Sequence, residues 1–427
     1  MNQRESSPVP AVVIFDYNWG GHIPATHRLL VESVLRAGWR AVSLSGGSRE
    51  VVAHVESSVP DGLERLVAPL CPELGRPPAR ARRLAFLRWM PGGFALWSRI
   101  RRNRFLRARH AVSRWDACRA SLARVAPHVG AGSLLFLPYL DDMLEPDLPR
   151  EAMDVPLPWV GLHMAASDLL HPGLSPGMEQ RLRLLSHPGC RGVAVYDEGA
   201  ARALRRLLPA LPICTLPDGN DTSRATHPSA LAQELERRAA GRKIVGLLGH
   251  LSEPKNLLLF LEIATEPRNR DVFFLVAGQY EPLSVAPAVR RRLSEASSGK
   301  WENLWALPNR ISSEVDFNSL LERLDVVFAV YRDFTRSSGI LTKAALFRRP
   351  ILVASGYCMG ERVNTYRLGL TASENSRAQC EEAMRRLLAE GAPGADYDRF
   401  AAEFSMATFQ ARVVDFIGSC RPVPAAS

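Results

Sequence analysis

The chain has 427 residues, 46% of them apolar and 23% charged, with a formal net charge of +10; that length is long for one core and predicts two domains. It holds no apolar run of about 18 residues, so no membrane-spanning helix is expected, and Met1 to Pro10 is polar and leads into strand pattern without a signal peptide. Seven scattered cysteines form none of the close pairs that zinc or redox motifs need, which predicts reduced thiols and a cytoplasmic protein.

The charge is uneven. Arg76 to Arg114 contains twelve Arg and no Lys, Asp or Glu, interleaved with Phe86, Trp89, Phe94, Trp97 and Phe105, and without this segment the remainder is slightly acidic. Two readings stand: a solvated pair of helices, or a basic aromatic surface that makes peripheral contact with the inner face of a membrane or with an acidic substrate. No nucleic-acid motif accompanies the charge, so nucleic acid is not an expected partner.

Ala11 to Phe15 reads as a buried strand, Asn18 to His22 as a glycine turn, the run from Ala25 to Ala37 as a helix closed by Gly38, and Arg40 to Leu44 as a second strand. This is a βαβ unit. Strands follow at Ser133 to Leu137, Trp159 to His163, Gly192 to Tyr196 and Ile213 to Leu216, and Pro217 to Asp221 forms a turn. The polar stretch from Thr222 to Arg242 reads as a connector. The alternation resumes with strands at Lys243 to Leu248, Val272 to Gly278, Leu304 to Leu307, Asp325 to Val330 and Pro350 to Ala354. An amphipathic run from Asp396 to Ile417 has no strand after it and is expected to pack back on the first domain, ahead of a short tail. The fold class is therefore α/β, with two Rossmann-like doubly wound parallel sheets. The expected domains are residues 1–225, 226–400 and a returning segment 401–427.

Two strand-turn-helix segments in the second half place anion-binding groups at the carboxyl ends of strands, where free N–H groups and helix dipoles attract phosphate. In the first, Gly249-His250 and Lys255 precede the helical run from Leu257 to Ala264; in the second, Arg332 to Ser337 leads into Ser338-Gly339 and a helix. Lys255 offers a point charge and His250 a hydrogen bond to a diphosphate, while Ser337, Ser338 and Gly339 supply hydroxyls and open backbone at a helix start. Gly20 and Gly21 permit close approach of a substrate to the backbone. Asp141 and Asp142 follow a strand and can accept hydroxyl protons from an acceptor, although in extended chain they point to opposite sides.

Taken in order, Gly20-Gly21-His22, Pro158 to His163, Leu216 to Asp221, Gly249-His250 with Lys255, Lys343-Ala344-Ala345 through Ala354, and Glu403-Phe404-Ser405 resemble the motif series of GT-B glycosyltransferases, specifically the retaining GT4 (group 1) family. The likeness covers nearly the whole chain. It implies two domains facing a cleft, a nucleotide diphosphate sugar as donor substrate, no other cofactor and no metal. It also implies contact of His163 with the donor sugar, His22 on the acceptor side, and a glycan, lipid-linked saccharide or small molecule as acceptor. The family's two glutamates, associated with the donor sugar and the ribose, fall here on Thr335 and Lys343, and Asp333 is the nearest acid that can stand in. Lys343 offers donors only. Beside a glycosyltransferase, the alternative expectation is a non-catalytic GT-B protein that binds nucleotide or glycan, or that partners an active transferase.

Overall fold

Strands that are buried on both faces of a parallel sheet need near-continuous apolar runs, and such runs are what this chain supplies. The computed structural model describes residues 9–19, 23–71, 74, 104–171, 177–280, 285–311 and 313–422. Gly20, Gly21, His22 and residues 76–103 of the arginine-rich segment lie outside the described residues. The chain divides into two compact units, Met1–Leu216 with Phe409–Ser427, and Pro217–Thr408.

The first unit holds seven parallel strands, β1 (Ala11–Phe15), β2 (Arg40–Leu44), β3 (Leu66–Val67), β4 (Leu134–Leu137), β5 (Trp159–Leu162), β6 (Cys190–Val195) and β7 (Ile213–Thr215), in the order β3-β2-β1-β4-β5-β6-β7. The second holds six, β8 (Lys243–Leu248), β9 (Val272–Ala277), β10 (Leu304–Leu307), β11 (Val326–Ala329), β12 (Ile351–Ala354) and β13 (Gly369–Ala372), in the order β10-β9-β8-β11-β12-β13. Each order reverses direction once, between β1 and β4 and between β8 and β11, so the loops after those four strands flank the switch points where doubly wound sheets bind ligands.

Two elements carry little sequence signal. β3 is two residues long, and β13 opens on a glycine that sits against β12, where a Cβ would meet the Ile351 carbonyl oxygen at 1.9 Å. The 222–242 stretch is not plain connector, because Ser229 caps a helix at Ala230–Ala239 by accepting from the Ala232 N–H. The final amphipathic run is two helices, Tyr397–Phe404 and Met406–Cys420, broken at Ser405, which is extended and turns its hydroxyl to the Thr408 N–H.

The last helix buries Phe409, Val413, Phe416, Ile417 and Cys420 along one face. Within the first unit that face lies on the sheet at Gly192, where a Cβ would come within 2.6 Å of Cys420 Sγ and 2.8 Å of Phe416. Phe416 also meets Phe136 edge to face at 6.5 Å. Gly192→Ala is therefore expected to lower stability by about 1–3 kcal/mol through overpacking; an unchanged thermal midpoint would show that the helix does not press on β6.

Candidate functional site

In the second unit, β8 is followed by Gly249, whose positive φ of 106° turns the chain at the switch point. The β9 exit presses on it: a Cβ on Gly278 would lie 1.8 Å from the Gly249 carbonyl oxygen. Room is left for the Lys255 ammonium, which sits 3.5 Å from the place a Gly249 Cβ would occupy. Lys255 closes a short turn at Glu253–Lys255, and the Leu257–Ala264 helix begins after Asn256 with no side-chain cap on its N–H groups.

Lys255 makes no ion pair among the described residues. Its ammonium donates to the Tyr331 hydroxyl and lies 4.0 Å from the Tyr331 ring centroid. Burial without a counter-charge pushes its pKa down to about 7. Tyr331 follows β11 and is only 2% exposed. The two predicted anion-binding loops are thus joined through a tyrosine. Tyr331 carries no glycine or charge signature; the one available cue was a phenol at the end of an apolar strand, since a buried hydroxyl needs a partner.

The helix Gly339–Leu346 starts at Ser338, whose side chain does not cap it; the Leu341 N–H donates to the Ser338 carbonyl, and the N–H groups of Gly339 and Ile340 are the ones placed to meet an anion. Ser337 is engaged otherwise, accepting from Arg362 Nη1 at 2.6 Å and donating to Asp218 Oδ2 at 3.2 Å. Gly339 admits Asn220, whose side-chain oxygen would be 2.7 Å from any Cβ there. The 218–221 turn is thereby seated on the helix start.

Lys343 lies one turn further along the same helix face. Its three N–H groups go to Glu314 Oε2 at 2.6 Å, Asn318 Oδ1 at 2.8 Å and the Asp221 carbonyl at 2.9 Å. That accounts for every donor an ammonium has, so Lys343 acts as a clamp on the 218–221 turn. Thr335 is buried, with its carbonyl accepting from the Cys358 N–H. His250 is exposed. Asp333, at φ 48°, belongs to a separate contact in which its N–H donates to Glu374 Oε1 at 3.1 Å; burial, joined by the Asp333 charge, raises the Glu374 carboxyl.

In the first unit the loops after β4 and β5 bring Asp141 and His163 together. Asp141 accepts from His163 Nδ1 at 2.7 Å and from the N–H groups of Met164 and Ala165. Burial opposes its ionisation, but the His163 charge and hydrogen bond with the two N–H groups outweigh that and hold the carboxyl below its ordinary range. An ionised Asp141 keeps a ring proton on Nδ1, and Nε2 is buried and has no hydrogen-bond partner among the described residues. Asp142 is not in extended chain; it lies in a helical turn at Leu140–Met143 and accepts from Asn18 Nδ2 at 3.1 Å, so the two aspartates work separately.

Beneath the β1 loop lies an unpredicted buried network. His27 bonds Asp16 through Nδ1 at 2.6 Å and Ser43 through Nε2 at 2.8 Å. Burial pushes the Asp16 carboxyl up to about 6, against the pull of His27. All three groups are enclosed, which suits them to bracing the loop rather than meeting a ligand.

Lys255 supplies a pH test. Its folded pKa of about 7 lies below the unfolded 10.5, so the unfolded chain holds the extra proton between those values and stability rises with pH across that window. Lys255→Met should raise the thermal midpoint of the free protein by several degrees near pH 7 and below, with the gain fading toward pH 10.5; a midpoint that falls at all pH values contradicts an uncompensated charge. Lys343→Met should instead destabilise, by about 1–3 kcal/mol, because Asn318 loses a buried partner; a neutral effect in a urea melt would remove the clamp.

No protein-family model matches the chain, and no curated protein matches it in sequence. Solved structures do match. Sucrose-phosphate synthase of Thermosynechococcus elongatus is 15% identical over 95% of this chain and 97% of its own, with a TM-score of 0.62. The HepE protein of Anabaena in complex with UDP-glucose is 10% identical over 96% and 99%, TM-score 0.62. A UDP-forming α,α-trehalose-phosphate synthase of Burkholderia xenovorans is 11% identical over 96% and 99%, TM-score 0.56. With two all-parallel doubly wound sheets and this likeness along nearly the whole length, the chain has the GT-B fold of the glycosyltransferases it resembles.

Proposed function

We propose that the chain is a glycosyltransferase that moves a sugar from a nucleotide diphosphate sugar to an acceptor, a lipid-linked saccharide, polysaccharide or natural product. The observation that carries this is Lys255, a largely buried ammonium with no carboxylate beside it, lodged just before the uncapped start of the Leu257–Ala264 helix at the switch point. A cation so placed lacks an anion, and a diphosphate supplies one. In the transfer, negative charge grows on the departing diphosphate, and Lys255, His250 and the N–H groups after Ser338 stabilise it in the place a divalent cation would otherwise take. Transfer is expected to be metal-independent and retaining, as in the family whose motifs the chain resembles. His163, whose Nδ1 is held by Asp141, accepts a hydrogen bond from a hydroxyl of the donor sugar through Nε2. UDP and UDP-glucose are the first ligands to try, because the similar HepE structure holds UDP-glucose. Lys255→Ala should lower kcat/KM with the productive nucleotide sugar on the order of 10²–10³-fold; an unchanged kcat/KM would remove this mechanism.

The second reading is a GT-B protein that binds nucleotide or glycan without turnover, or partners an active transferase. Thr335 and Lys343 favour it, since a buried threonine and a saturated ammonium leave two carboxylate acceptors missing. Calorimetric UDP binding with neither transfer nor donor hydrolysis selects this reading, and product from any acceptor ends it.

A further inference from the structure

We propose that Tyr331 is a positioning residue for the diphosphate site: its phenol oxygen accepts from the Lys255 ammonium, so that the cation meets the ligand from a fixed position. The inference rests on the diphosphate reading of the site and adds the residue that assembles it.

The ring cannot swing freely. Tyr331 is 2% exposed, its N–H donates to the Ala329 carbonyl at 2.9 Å where the strand ends, and Phe334 packs on the ring edge to face at 5.3 Å. Burial raises the phenol well above its ordinary range, so the group stays an O–H. A phenol oxygen has lone pairs to accept with, and it accepts from Lys255 Nζ. Ser338 is at a helix start where serine ordinarily caps N–H groups, yet it makes no cap bond. The Leu341 N–H donates to the Ser338 carbonyl at 2.9 Å, and the N–H groups of Gly339 and Ile340 carry no side-chain cap. The neighbouring Ser337 is committed to Arg362 and Asp218.

Phenylalanine keeps the ring and its packing and removes only the oxygen. UDP titration of the full chain by calorimetry, across pH, in the wild type, Tyr331→Phe, Lys255→Met and the double variant separates the roles. Tyr331→Phe should weaken UDP about tenfold, equivalent to about 1.4 kcal/mol, and cost almost nothing further in the Lys255→Met background, because the phenol acts through the lysine. The pH at which wild-type binding fades should also move lower in Tyr331→Phe, since the ammonium has lost an acceptor. An equal loss in both backgrounds, or no loss, overturns the inference while leaving the diphosphate reading in place. Absence of UDP, GDP and pyrophosphate binding to the wild type overturns that reading and the inference with it. If Tyr331→Phe does not fold, Lys255→Arg keeps the charge and changes its seat on the phenol, and is expected to weaken UDP about tenfold; unchanged affinity overturns the inference.

Discussion

The Lys255 ammonium against the Tyr331 phenol is the contact from which the second unit's site is built, because it places a positive charge in a largely enclosed position and supplies only a neutral acceptor for it. A lysine that merely stabilised the fold would be paired or solvated, and Lys343 shows the paired case in the same unit, with all three donors met by Glu314, Asn318 and Asp221. The two lysines divide the work: one ties the 218–221 turn to its helix, and the other, on the proposed function, meets its counter-charge in the diphosphate. On that reading the stability given up at Lys255 returns on binding, which links the local energetics to ligand capture.

The architecture explains why that charge lies where it does. Reversal of strand order between β8 and β11 separates the loops that leave those strands and opens the carboxyl edge of the sheet between them. Gly249 and Gly278 allow the backbone to close tightly there, and the helices at Leu257–Ala264 and Gly339–Leu346 start without side-chain caps. The first unit repeats the scheme in a different chemistry: at its own switch point and the strand beside it, Asp141 aligns His163, and Asp16, His27 and Ser43 brace the loop that leaves β1.

Much of the fold was legible because buried parallel strands write themselves as short apolar runs. β1, β2, β8 and β10 begin and end where their residues change character. β3 and β13 were not legible, since two residues show no period and a glycine-led edge strand shows little apolar contrast. The Ser405 break was hidden because the apolar period continues across it into the last helix. Of the candidate site, Lys255 and the Ser338-Gly339 helix start could be read from turn chemistry and strand-helix order. Their connection through Tyr331 could not, because it depends on two loops 76 residues apart in sequence meeting in space. Lys343 was legible as a departure from a resembled motif, but its saturation by three acceptors is a tertiary fact.

The most direct measurement is the ionisation of Lys255 itself, followed by NMR of the isotopically labelled, dimethylated protein with a Lys255→Arg chain to assign the signal. The account predicts that the free protein's Lys255 titrates near 7 and that UDP moves its titration up by more than a unit as the diphosphate supplies the missing counter-charge. A Lys255 that titrates near 10.5 in the free protein and does not respond to UDP would contradict it.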